Sequence, residues 1–218
     1  LKKRIIALIH KEFMLDFRQG FALGAVILYA FCTVFLIAYA LQNIKLPMLW
    51  LSLFWIILFF ASINAIAKSF VQEPTQRNLY YYTLATPEEI IIAKILYNCL
   101  LTSVLSGITF FIYTLFLPPP PIHLGLLILV LILSANTLSI LLTMVSAIAA
   151  QTKNAALLSG ILSIPLLMPL LTIVQKLSVY IVNYNGSLFQ IKELYILLGL
   201  GMLIAALNYI LYPYLCKD

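Results

Sequence analysis

Five stretches of this chain carry no Asp, Glu, Lys or Arg: residues 19–44, 46–67, 95–152, 154–175 and 194–216. A helix that crosses a bilayer needs about 20 apolar residues at ~1.5 Å rise each. Four of the stretches hold one such helix apiece. The stretch 95–152 holds two, divided by Pro118-Pro119-Pro120-Pro121, which no helix can run through and which belongs outside the hydrocarbon. The pattern predicts six spans, at about 20–42, 47–67, 94–117, 123–150, 155–175 and 194–215. Barrel strands are excluded, because the runs are far longer than ~10 residues and do not alternate. Composition agrees: 64% of residues are hydrophobic and 9% charged, against about 45–50% and about 25% in soluble domains. The expected fold is an all-α polytopic membrane protein. A single transmembrane domain covers 1–218, without internal repeats, and an amphipathic interfacial helix precedes its six transmembrane helices.

Charge sets the orientation. With six spans both termini share one side, which collects Lys2, Lys3, Arg4, Lys11, Arg18, Lys68, Arg77, Lys94, Lys153 and Lys217, leaving Lys45, Lys176 and Lys192 on the other. Ten against three places both termini in the cytoplasm. The same bias accounts for the net charge of +6 without invoking nucleic acid. The charges running from Lys2 to Arg18 ahead of the first apolar stretch argue against a cleavable signal peptide. Cys32, Cys99 and Cys216 have no metal, haem-attachment or redox spacing and read as apolar filler.

Three features lie outside the spans. In residues 1–18, Ile5, Ile9, Phe13 and Phe17 recur at i+4 and predict an amphipathic elbow helix in the interface, its charges largely on the other faces. Residues 68–93 form the largest cytoplasmic loop. It ends in Thr86-Pro87-Glu88-Glu89, which has a helix start's N-cap, N1 proline and first-turn carboxylates. Ahead of that start, Leu79-Tyr80-Tyr81-Tyr82-Thr83-Leu84 suits an interfacial belt or a short helix docked in a partner. Gln151-Thr152-Lys153-Asn154 is a tight turn. On the far side, Pro165 and Pro169 are expected to interrupt and kink span five, and Leu177 to Val182 reads as an outer, potentially re-entrant segment in the loop 176–193.

Within the spans, Asn98, Thr102, Ser106 and Thr109 share one helical face, as do Asn136, Ser139, Thr143 and Ser146. Such faces turn inward, to make interhelical hydrogen bonds or to line a path or dimer contact. No carboxylate sits in mid-membrane, which argues against an ion-coupled transporter. The histidines, His10 and His123, fall on opposite sides of the membrane and cannot share a site; no metal site is predicted. There is no G-x-x-x-x-G-K-[ST] motif, so any ATP is bound by another chain.

An elbow, six spans, a structured loop after span two and no nucleotide site resemble the membrane subunit of an ABC-2-class exporter. The resemblance is closest to the haem exporter protein B family of cytochrome c maturation, CcmB. It covers nearly the whole chain. Its local matches are Lys11-Glu12 through Phe17-Arg18, Phe70 through Thr86-Pro87, Ile92-Ala93-Lys94 and Leu157 through Leu171, the last with Pro165 and Pro169. The chain departs from the family at Gln76-Arg77-Asn78-Leu79 and the three tyrosines, where the family's loop is more acidic. The resemblance implies a non-catalytic permease subunit beside a CcmA-like ABC ATPase, other cytochrome c maturation membrane proteins and a periplasmic haem chaperone, with a homodimer by analogy. It implies that ATPase movement is received by the elbow (Phe13, Phe17) and the loop (Phe70, Glu73, Arg77, Tyr81, Pro87, Glu88, Glu89). Haem is the implied cargo; no haem ligand is assigned, because His123 stands alone at the interface. Competing readings are an ABC-2 permease for a lipid, polysaccharide or drug, an intramembrane enzyme, and a scaffold without a transport cycle.

Overall fold

The computed structural model describes residues 2–18, 21–41, 46–71, 86–152, 154–183 and 192–215. Among these the chain is helical and contains no strand. It forms α1 (Lys2–Arg18), α2 (Phe21–Leu41), α3 (Pro47–Val71), α4 (Pro87–Phe116), α5 (Leu124–Ala149), α6 (Ala155–Val182) and α7 (Lys192–Leu215). All but α1 are long and apolar enough to cross a membrane. In lipid this is the economical solution, because each helix satisfies its own backbone polar groups.

α5 is the hub: it packs against α3, α4, α6 and α7. The main core runs through Trp50, Phe54, Trp55 and Leu58 of α3, Tyr113 of α4, Leu127, Val130 and Leu138 of α5, Leu170 and Val174 of α6 and Leu197 of α7. Close approach of α7 to α5 depends on Gly201, where a Cβ would stand 3.2 Å from Thr137 Oγ1. α2 flanks α3 and α4 and turns Leu28, Phe31, Leu36 and Tyr39 outward, as a lipid-facing helix should.

Two buried tryptophans tie α3 to its neighbours. Trp50 Nε1 donates to Leu117 O (3.1 Å), and Tyr113 O–H donates back to Trp50 O (2.9 Å). Their rings meet edge to face at 4.7 Å. Trp55 Nε1 donates to Ser178 Oγ at 2.9 Å. A buried aromatic whose polar tip finds a partner avoids the cost of an orphaned N–H or O–H.

Several sequence expectations shift. α4 begins at Pro87, the start read from Thr86-Pro87-Glu88-Glu89 and ahead of the span expected from 94, and α3 runs past 67 to Val71, so part of the segment read as loop 68–93 is helical. α6 continues past 175 to Val182, and the re-entrant segment is absent: Leu177, Ser178 and Ile181 are fully buried in its last turns. The physical reason is the same each time. A charge such as Lys68, Glu88 or Lys176 ends the hydrocarbon-compatible run, but it does not end the helix. Nor do Pro165 and Pro169 interrupt α6, which runs through both with their rings on its exposed side. Nearby hydroxyls bond back to carbonyls there, Ser163 Oγ to Gly160 O (2.8 Å) and Thr172 Oγ1 to Pro169 O (2.7 Å).

Candidate functional site

α4 is capped by its own sequence. Thr86 Oγ1 accepts from Glu89 N (3.4 Å), and the Glu89 carboxylate accepts from Thr86 N (3.2 Å). Each satisfies an N–H that the first turn leaves without a partner. Glu89 is consequently buried and turned back onto its helix, whereas Glu88 and Pro87 are half-buried.

α1 packs on this start. Leu8 joins a cluster of Ile90, Ile91 and Ile95 of α4, Ala147 of α5 and Tyr212 and Leu215 of α7. Arg4 Nη1 lies 3.9 Å from Glu89 Oε2. One turn beyond Leu8, Glu12 Oε1 is 3.0 Å from Lys11 Nζ and 3.6 Å from Lys94 Nζ. Glu12 and Lys94 are buried, 7% and 2% exposed. The turn after α5 closes the same end, with Gln151 Nε2 donating to Leu215 O at 2.7 Å. Four helices therefore converge where the segment from α3 enters α4.

Among the described side chains of α1, Glu12 is buried, Ile5, Leu8, Ile9 and Leu15 are half-buried and Phe13 is 52% exposed. Glu12 is a carboxylate that apolar periodicity does not place inward and that stands beside Lys94. Phe17 and Phe70 lie near the ends of α1 and α3; Glu73, Arg77 and Tyr81 lie outside the described residues. Of the residues assigned to the elbow and loop, Pro87, Glu88 and Glu89 form the first turn of α4, which α1 meets through Arg4. Glu12, Lys94, Arg4 and Leu8 complete the junction and were not singled out by sequence, although Lys11-Glu12 and Ala93-Lys94 stand in the segments that carry the resemblance.

The polar faces of α4 and α5 meet each other. Asn98 Nδ2 donates to Thr143 Oγ1 (2.9 Å) and Ser103 Oγ to Asn136 Oδ1 (3.3 Å); Thr102 Oγ1 reaches Ala135 O at 3.4 Å. Asn98, Thr102, Ser106, Ser139 and Thr143 are buried and Asn136 half-buried. The seam extends to α3, where Ser146 Oγ donates to Ile66 O (3.5 Å), and to α7, where Asn208 Nδ2 donates to Ile140 O (3.0 Å). Asn208 was missed, though a lone amide in an apolar span is itself the signal. His10 and His123 are exposed at opposite ends of the bundle. Among the described residues no three His, Cys, Asp or Glu are placed to hold a metal ion.

With this geometry in view, the sequence profile of the CcmB protein family matches residues 3–213, from the first turn of α1 to the last of α7. The chain belongs to the CcmB protein family. Both the elbow and all six long helices fall inside the match, so the resemblance read from the sequence holds over the whole architecture. The family is that of the membrane permease subunit of a haem-exporter ABC complex, and this chain is a multi-pass membrane protein. No curated protein matches the chain.

Proposed function

We propose that this CcmB-family chain transmits the work of a separate ABC ATPase across the bacterial inner membrane in c-type cytochrome biogenesis. The termini and the junction of α1 with α4 face the cytoplasm, as the ten-to-three distribution of Lys and Arg supports. The ATPase engages α1 and the connection between α3 and α4. The observation that carries the reading is the packing of α1 on the capped first turns of α4, at the point where that connection ends. A displacement delivered there meets α4, α5 and α7 together, and rigid helices carry it across the bilayer, so nucleotide biases two arrangements of the bundle.

Haem is the cargo, or the ligand whose handling the cycle drives. Two copies of this chain pair in the complex, joined by other maturation membrane proteins and a periplasmic haem chaperone; the nucleotide stays on the ATPase chains. Deletion of the gene is expected to abolish covalent haem attachment to c-type cytochromes, read by haem staining of membrane and periplasmic proteins, and the plasmid-borne chain to restore it. Full c-type cytochrome content after deletion would overturn the cargo assignment in favour of a permease for another substrate.

A further inference from the structure

The contacts between α1 and α4 advance in step. Arg4 meets Glu89, Leu8 packs against the cluster that holds Ile90 and Ile91, and Glu12 meets Lys94. Both series run in the same direction, so α1 lies alongside the first two turns of α4. The contacts differ in kind. The Arg4 side chain is 66% exposed and its contact with Glu89 is open to water, whereas Glu12 and Lys94 are both buried. An apolar contact such as that of Leu8 is easily exchanged for lipid, which is as apolar as leucine, so it resists sliding weakly. A buried ion pair is different: separating Glu12 from Lys94 gives up the attraction between two desolvated charges, which lipid cannot replace. Lys11, 3.0 Å from the same Glu12 oxygen, holds that carboxylate from its own helix and aims it at α4.

We infer that Glu12 and Lys94 are a positioning pair that fixes α1 to α4 in one register, so that the elbow and the first turns of α4 move as a single part. The functional half of this inference rests on the coupling reading above. Under that reading, force applied to α1 reaches the bundle through this pair, and the exposed Arg4–Glu89 contact adds little.

The test uses the full chain with Cys32, Cys99 and Cys216 replaced by Ser and spin labels at the exposed positions Met14 and Leu96, reconstituted in lipid nanodiscs. One narrow distance distribution is expected. E12Q and K94M should each broaden it, and the charge exchange E12K/K94E should narrow it again. In a strain deleted for the gene, the single variants should lower c-type cytochrome content about fivefold or more, and the exchange should restore most of it. An unchanged distribution in both single variants overturns the inference, as does an exchange that stays broad. The exchange also guards against a single variant that merely fails to fold. Broadened distances with full cytochrome content overturn the role of the pair in coupling. If deletion of the whole gene leaves cytochromes intact, the functional reading falls, while the distances still decide whether α1 and α4 form one part.

Discussion

Asn98 and Trp50 are both fully buried in this bundle, and their removal should cost very different amounts. Asn98 donates to Thr143 Oγ1, but that hydroxyl is itself spent on Ser139 O at 2.7 Å. Asn98→Leu therefore leaves Thr143 satisfied and loses the interhelical hydrogen bond between them, worth about 0.6 kcal/mol and at most about 1.7 in a membrane protein. Trp50→Ala opens a hole of roughly 140 Å3 at about 24 cal/mol per Å3, about 3 kcal/mol before relaxation. It also removes the indole N–H from which the buried carbonyl of Leu117 accepts, whereas the O–H of Tyr113 keeps the backbone carbonyl of residue 50 as its acceptor. Steric trapping of the unfolded state in bicelles is expected to rank W50A well below N98L; equal stabilities would mean that the polar seam, not the aromatic lock, holds α3, α4 and α5 together. Asn98 and Thr143 could be assigned to inward faces from spacing alone, since any uncharged polar group in hydrocarbon seeks protein. Glu12 and Lys94 could not. Their pairing joins elements far apart in the chain and leaves no period in either, and each charge taken alone looks like a marker of the membrane surface.

The first turn of α4 is the element on which the junction depends. Thr86→Ala removes the side-chain acceptor for Glu89 N, while the backbone N–H at 86 still donates to the Glu89 carboxylate, a loss of about 1 kcal/mol. Hydrogen exchange at Glu88, Glu89 and Ile90 should accelerate about fivefold, with little change at Leu105 or Tyr113; uniform acceleration along α4 would instead mean global loosening. This helix start was legible as Thr-Pro-Glu-Glu, because capping chemistry is local. The helix starts ahead of the span expected from 94, because charge marks the edge of the hydrocarbon and not the end of the helix. Helix and hydrocarbon have different limits: a helix ends where its backbone bonds end, a span where water begins. The same distinction explains why α6 outlasts Lys176, and why Pro165 and Pro169 pass through it with their rings turned outward.

For the whole molecule the six apolar runs were the most legible feature, since desolvation keeps ionisable groups out of them. The family followed from their order together with the elbow. The assembly of four helices at one end, with α1 fastened to the first turns of α4, depends on tertiary contacts and became visible only in the structure. The account requires that this end lie in the compartment of the ATPase. Substituted-cysteine labelling of intact cells with a membrane-impermeant maleimide tests this directly, in the chain freed of Cys32, Cys99 and Cys216. Met14→Cys on α1 should stay unlabelled until the inner membrane is permeabilised, and Pro120→Cys in the turn after α4 should label at once once the outer membrane is opened. The reverse pattern, or labelling of both positions from the outside, would contradict the account.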